Sequence, residues 1–346
     1  MKLLIRADAG TEIGFGHVMR CLSLAAAIRK QGGEACFATR ALPGGAMERI
    51  RDTGFEVEEL LYSGIPQRAE LPSEDIEATL NAAKHIGAQA ILIDHYGATS
   101  DYLSAIRSRG ILLAIIDDMA DRDLIAADWL LNQNLGAENL AYRCQPDCVQ
   151  LLGPKYVLLR QAFSETRQQL SRTFSAEDNR ILLTLGGSNT AELCTQILET
   201  LKGINTRLDI RCILAGSETI PASATPHKLT ILNQVSDMDQ QMAWADLSIN
   251  AGGSTCWELC CLGTPMIIVV LSPDQKLIAA SLAKEGCAIS LDEWKANTTA
   301  VKLVEAAEAL LKKPEQRTEM SARSQALVDG LGAERTAQSL RKLLEQ

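Results

Sequence analysis

The chain has 346 residues, about twice the size of an ordinary domain, so two domains are expected. With 47% apolar and 22% charged residues it has ample material for a core, which excludes a disordered chain, a collagen-like repeat and a small disulfide scaffold. A net charge of −9 argues against non-specific binding to nucleic acid or an anionic membrane, but leaves room for a local pocket that takes a small anion.

Short apolar runs alternate with amphipathic stretches along the chain. In the first half, strands are expected at Lys2–Arg6, Ala35–Ala38, Val57–Leu60, Gln89–Ile93 and Ile111–Ile116. Helical patterns fall between them at His17–Gln31, Gly45–Asp52, Asp75–Ile86 and Ser100–Arg109. Unbroken apolar runs suit strands buried on both faces, and strand–helix alternation implies a parallel sheet. The second half repeats the scheme, with strands at Arg180–Leu185, Asp209–Leu214, Leu229–Leu232, Leu247–Ile249 and Met266–Val270. Helices are expected there at Ala191–Lys202, Met238–Trp244, Thr255–Leu262 and Gln275–Ala283, and the stretch from Thr298 to Gln346 reads as two or three more.

The expected organisation is a first Rossmann-like α/β domain over 1–155, a linker near 150–176 and a second Rossmann-like domain over 176–346, with ligand in a cleft faced by both sheets. The polar stretch Gln133–Pro154 and the helical segment Gln161–Arg172 set that boundary. Charge interrupts the first apolar run at Arg6, too soon for a secretion signal, and no run approaches the roughly 18 residues of a membrane span. A cytoplasmic location follows as the expectation. The ten cysteines then read as small buried hydrophobes, and Cys144-x-x-x-Cys148 lacks the further ligands of a zinc site.

Three glycine turns carry the chemistry. The first, Asp8 to Arg20, follows the first strand and opens the first helix; it contains Gly14-Phe15-Gly16-His17-Val18-Met19-Arg20. It lacks the third glycine of a dinucleotide fingerprint, and Arg40 rather than an acidic residue ends the second strand, which argues against a nicotinamide cofactor. His17 sits where a strand-to-helix junction projects side chains, and a helix start disfavours an imidazolium, leaving a neutral ring for general-base work. A capping or packing role is the alternative, and His85 and His227 read as structural. Asp94-His95-Tyr96 follows the fourth strand, where Asp94 or Tyr96 would orient His17 or a water; an Asx turn is the plainer alternative. Asp117-Asp118 and Asp121-Arg122-Asp123 offer only a weak divalent-metal pattern.

In the second half, Leu185-Gly186-Gly187-Ser188-Asn189 leaves a strand and enters a helix, a phosphate-type turn without a P-loop lysine. Asn250-Ala251-Gly252-Gly253-Ser254-Thr255-Cys256-Trp257-Glu258 repeats the logic, with Ser254 and Thr255 as helix caps. Glu258 reads as the end of a capping box or as an acceptor for a ribose diol. Two such turns suit a diphosphate held by backbone N–H groups.

Taken with Gly263-x-Pro265 and Asp274-Gln275, these motifs resemble the UDP-2,4-diacetamido-2,4,6-trideoxy-β-L-altropyranose hydrolase family of pseudaminic acid biosynthesis, itself related to MurG-like GT-B glycosyltransferases. The resemblance is densest at the N-terminus and over 181–276. It implies a GT-B-like fold, UDP in the second domain, and His17 at the sugar, where water attacks the anomeric carbon and UDP leaves with inversion. On that resemblance Gly14, Gly16, Arg20 and Asp94 line the substrate site, and Gly186, Gly187, Ser188, Gly253, Ser254 and Thr255 bind diphosphate. Glu258 would take the ribose, the loop Asn233-Gln234-Val235 the uracil, and Asp274 and Gln275 the sugar hydroxyls. Tyr96 would match an active-site tyrosine, and Asn250 is the candidate for an active-site asparagine.

The resemblance further implies no cofactor or metal, no nucleic-acid, membrane or obligate protein partner, and a context of flagellin glycosylation. Two other readings stand beside hydrolysis. One is a GT-B glycosyltransferase using a UDP-amino-sugar donor; the other is a non-catalytic UDP-sugar binding module.

Overall fold

The computed structural model describes residues 1–10, 13–62, 69–186, 190–214, 219–220, 225–233, 235–273 and 275–345. It divides into two compact units, Met1–Gln161 with Leu331–Gln346, and Ala162–Gly330.

Among the described residues the first unit holds seven parallel strands: β1 (Lys2–Ala7), β2 (Glu34–Thr39), β3 (Glu56–Glu59), β4 (Ala90–Asp94), β5 (Leu112–Ile116), β6 (Trp129–Asn132) and β7 (Val149–Leu152), in the order β3-β2-β1-β4-β5-β6-β7. The strand period sorts β1 onto two faces. Leu3 and Ile5 pack into one core with α1 (Gly16–Lys30), and Leu4 joins another with α4 (Ser100–Arg107). Helix α3 (Ser73–Ile86) covers the Leu4 face as well.

Strand β7 lies inside the polar stretch Gln133–Pro154 and β6 just ahead of it, and neither is among the strands expected from sequence. Each has only four residues, too few to show a period, yet Trp129, Leu130 and Leu131 are fully buried.

The second unit's six parallel strands are β8 (Arg180–Thr184), β9 (Asp209–Leu214), β10 (Lys228–Asn233), β11 (Leu247–Ala251), β12 (Met266–Val270) and β13 (Ile289–Glu293), in the order β10-β9-β8-β11-β12-β13. Strand β13 was not anticipated from sequence. Its apolar residues alternate with charge on a sheet edge, so it lacks the unbroken apolar run of its neighbours. Helices α6 (Ala191–Leu201), α8 (Thr255–Leu262) and α9 (Gln275–Lys284) fall where the sequence places them.

The domain expected over 176–346 needs correction at its end. Three helices follow β13, and the last, α12 (Gly332–Leu344), belongs to the first unit. Ala333, Ala337 and Leu340, at helical spacing, join the core formed by β1 and α1. The Trp129 indole N–H donates to Ser339 Oγ at 3.1 Å, and Gln31 Nε2 donates to the Glu334 carbonyl at 3.0 Å. The first unit also begins its separation from the second at Gln161, within the expected linker.

Both sheets reverse strand order once, between β1 and β4 and between β8 and β11. In such sheets the loops at the carboxyl ends of the two flanking strands diverge and leave a crevice for ligand. The β1 and β4 ends carry the His17 turn and Asp94; the β8 and β11 ends carry the two glycine turns of the second unit.

Candidate active site

In the first unit, Gly10 and Gly14 exchange backbone hydrogen bonds of 3.3 and 2.8 Å, closing the turn after β1. Gly14 has φ +75°, a conformation that disfavours a side chain, and a Cβ at Gly16 would meet nothing within 4 Å. Helix α1 starts at Gly16, and its N-cap, Phe15, makes no side-chain cap bond. His17 is therefore no capping residue. Its Nδ1 lies 2.6 Å from Asp94 Oδ1, and its side chain is 12% exposed.

Asp94 is the hub. Arg20, one helical turn from His17, grips it bidentately, Nε on Oδ2 and Nη2 on Oδ1, both at 2.7 Å. The Cys21 thiol donates to Oδ2 at 3.4 Å. Burial pushes the Asp94 carboxyl up, but Arg20 and His17 outweigh burial and hold it well below the usual carboxylate range. An ionised carboxylate only accepts, so the proton of the His17 ring sits on Nδ1 and the Nε2 lone pair is the basic end. Arg20 Nη2 also lies 3.3 Å from Nδ1, because both groups converge on the same carboxylate oxygen.

The second guanidinium edge of Arg20 reaches Asp118, with Nη1 2.8 Å from Oδ2. Asp118 also accepts from Asn134 Nδ2 at 2.8 Å and from the Tyr96 hydroxyl at 3.3 Å. The Tyr96 ring stands edge-on to His17, centroids 4.7 Å apart at 81°. Thus Tyr96 lies in the cluster, together with Asp118 and Asn134, which the motifs do not single out as site residues. Asp118 was weighed as half of a metal pair. Instead, Asp118 faces Arg20, and Asp117 accepts from Arg122 and from the N–H groups of Met119 and Ala120. No group of three or more His, Cys, Asp or Glu suited to a metal occurs among the described residues.

Behind this cluster lies a second buried charge network. Arg6 bonds Asp8 at 2.6 Å and Asp75 at 2.7 Å, and Arg40 Nε bonds Asp8 at 2.7 Å. All four are at most 3% exposed. His95 Nε2 is 3.4 Å from Asp8, and His95 Nδ1 accepts the Gly97 N–H at 2.9 Å. Burial lowers the pKa of this imidazole, and its two partners fit a neutral ring that donates from Nε2. His227 is likewise structural: its Nε2 donates to the Leu201 carbonyl at 2.8 Å. His85 pairs with Glu58 on the surface.

In the second unit, Gly186 lies two residues beyond β8 and has φ +63°. Gly187, Ser188 and Asp274 lie outside the described residues. Gly252 is packed, since a Cβ there would come within 2.9 Å of the Gln275 carbonyl, but a Cβ on Gly253 would meet nothing within 4 Å. Ser254 is the N-cap of α8 and makes no side-chain cap bond, which corrects the expectation of a side-chain cap and leaves its exposed hydroxyl at the turn. Thr255 and Glu258 follow on the first turn of α8, and Val235 lies two residues beyond β10.

Two more residues are tied to the glycine turn by their side chains. Asn250 is fully buried, its Nδ2 donating to the Ala251 carbonyl at 2.9 Å and facing Cys256 Sγ at 3.3 Å. Its Oδ1 is buried and accepts no hydrogen bond from the described residues. Gln275 Oε1 accepts the Gly252 and Leu271 N–H groups at 3.2 and 3.0 Å, so it clamps the glycine turn and only its Nε2 end is left to donate elsewhere.

Comparisons with known proteins bear on the fold and on the aligned sequence. Residues 181–339 match the family described as glycosyltransferase family 28 C-terminal domain. An uncharacterized protein of Methanocaldococcus jannaschii is 27% identical over 282 residues, 78% of this chain and 55% of that protein. The UDP-2,4-diacetamido-2,4,6-trideoxy-β-L-altropyranose hydrolase of Campylobacter jejuni is 29% identical over 209 residues, 58% of this chain and 66% of the hydrolase. The chain thus spans between half and two thirds of the length of these relatives. The crystal structure of Acinetobacter baumannii MurG superposes with a TM-score of 0.70 at 18% identity, covering 99% of this chain and all of that one. The fold is of the GT-B type, and the resemblance to the hydrolase read from the motifs extends to the aligned sequence.

Proposed function

We propose that this chain, a relative of that hydrolase with a GT-B fold, hydrolyses UDP-2,4-diacetamido-2,4,6-trideoxy-β-L-altropyranose at the anomeric C–O bond. The observation that carries the reading is the His17–Asp94–Arg20 arrangement at the switch point of the first sheet. Water attacks the anomeric carbon and gives a proton to His17 Nε2. The bond from that carbon to the diphosphate oxygen breaks, UDP leaves with the electron pair, and the configuration inverts. The other ring proton stays on His17 Nδ1, donated to Asp94, whose charge stabilises the imidazolium as it forms.

UDP is a good leaving group, so the second carboxylic acid of ordinary glycoside hydrolysis is not needed. One positioned base contributes about 100- to 10,000-fold, and orientation and backbone donors on the diphosphate supply the rest. In this reading Gly186, Gly253, Ser254 and Thr255, with Gly187 and Ser188, hold the diphosphate. Glu258 takes the ribose, Val235 the uracil, and Asp274 with the Nε2 end of Gln275 the sugar hydroxyls. Gly14 and Gly16 let backbone approach the sugar, and Tyr96 packs beside it. The context is pseudaminic acid biosynthesis.

Hydrolysis is tested by incubating the chain with this UDP-sugar alone and following UDP by chromatography. Release that disappears in His17→Ala is the expected result. A second reading, a glycosyltransferase that uses a UDP-amino-sugar donor, draws on the family 28 match over 181–339. It predicts that UDP binds but is not released until an acceptor is added.

A further inference from the structure

The loop after β5 carries the one non-glycine with positive φ among the described residues, Ala120 at +53°. Left-handed backbone is costly for alanine and persists where surrounding bonds over-determine it. Here Asp117 Oδ1 accepts the N–H groups of both Met119 and Ala120 at 2.8 Å. Arg122, on the same loop, bonds Asp117 and then reaches across to the carbonyls of Ala98 at 2.6 Å, His95 at 3.3 Å and Tyr96 at 3.4 Å. Asp118 takes the Tyr96 hydroxyl on its other side. The loops that carry Met119 and Tyr96 are therefore stitched into one piece.

That rigid piece leaves two large apolar side chains in water, Tyr96 at 61% and Met119 at 57% exposure. Single exposed apolar residues are ordinary on a protein surface. These two differ in place: Tyr96 touches the His17 ring, and Met119 adjoins the carboxylate that binds both Arg20 and Tyr96. The charges behind them are spent on one another, Arg20 on Asp94 and Asp118. What these two side chains offer a ligand is C–H and thioether surface, which suits methyl groups and discriminates against hydroxyls only modestly.

We propose that Met119, on the loop that Asp118 and Arg122 tie to that of Tyr96, determines specificity by packing against a methyl-terminated substituent of the sugar, either a deoxy carbon or an N-acetyl group. The inference rests on the UDP-sugar reading given above. It assigns a role to a residue that the glycine and histidine motifs do not include.

The test compares wild type with Met119→Gln and Met119→Leu on UDP-2,4-diacetamido-2,4,6-trideoxy-β-L-altropyranose and two analogues, one with a 6-hydroxyl and one with a free 4-amine. Met119→Gln raises KM for the parent about 10-fold, with kcat within about twofold and with Kd for UDP unchanged, while Met119→Leu stays near wild type. The analogue for which the Gln penalty vanishes identifies the methyl group that Met119 contacts. Equal KM values for wild type and Met119→Gln on all three compounds would overturn the assignment. If wild type releases no UDP from any of them, the hydrolase reading fails by itself. Calorimetric Kd values for the same compounds then decide the subsite: a Gln-specific loss sustains it, and equal affinities refute it.

Discussion

Asp94 Oδ1 lies 2.6 Å from His17 Nδ1, and both oxygens of the same carboxylate are held by Arg20 at 2.7 Å. The pairing fixes the tautomer and the orientation of the ring at once. Arg20 keeps the carboxylate ionised in a site where only 1% of its side chain meets solvent. The helix start supplies the position, and the far end of a neighbouring strand supplies the partner.

Asp94→Asn keeps the shape but removes the charge and replaces one acceptor oxygen by an N–H donor, so the contacts from His17 Nδ1, Arg20 Nε and Arg20 Nη2 can no longer all be accepted. Turnover of the UDP-sugar is expected to fall by about 100- to 10,000-fold, the range for loss of a positioned base. Kd for UDP, measured by calorimetry, stays within about twofold. Unchanged turnover would remove Asp94 from the mechanism.

Gly253 gives a second prediction. A Cβ there has open space around it, so Gly253→Ala leaves the thermal unfolding midpoint close to wild type. If the glycine exists to let backbone N–H groups approach a diphosphate, the same substitution weakens UDP binding by about tenfold. Loss of stability with intact binding would mean the opposite, that the glycine serves packing alone.

Acid stability follows from the buried network beneath the site. Burial raises the Asp8 and Asp75 carboxyls, but Arg6, with His95 at Asp8, holds both below the ordinary range. Unfolded aspartates titrate near a pKa of about 3.9. Above that pH the stabilisation is fully present; as pH falls below about 4 the unfolded chain takes up protons first and the stabilisation drains away toward the lower folded values. Urea midpoints therefore decline gently below about pH 6.5, where the unfolded His95 takes up a proton that the buried ring resists, and drop more steeply below about pH 4. Asp8→Asn lowers the plateau by ~3–5 kcal/mol, because Arg6 and Arg40 lose a buried partner, and makes the acid limb shallower.

Much of this was legible in the chain itself. Apolar runs bounded by glycine turns revealed most strands and both switch-point loops, because a strand buried on both faces needs an unbroken apolar run. Three features were not legible. Arg6 reads as a charge that interrupts an apolar segment, yet strand period turns it onto the face of β1 that meets Asp75, 69 residues away. Asp118 reads as half of an acidic pair, since Arg20, 98 residues distant, gives no local sign that it will occupy that carboxylate. Helix α12 reads as the end of the second domain, because an amphipathic face of Ala333, Ala337 and Leu340 does not say which core it will cover. The position of His17 at the start of α1, by contrast, follows from the glycine turn.

The measurement that tests the central claim most directly is NMR of the chain incubated with UDP-2,4-diacetamido-2,4,6-trideoxy-β-L-altropyranose in ¹⁸O-water. The account predicts ¹⁸O on the anomeric carbon of the freed sugar and UDP of normal mass, with no reaction in His17→Ala. Label in the UDP instead would mean attack at phosphorus, and would contradict both the bond assigned and the role given to His17.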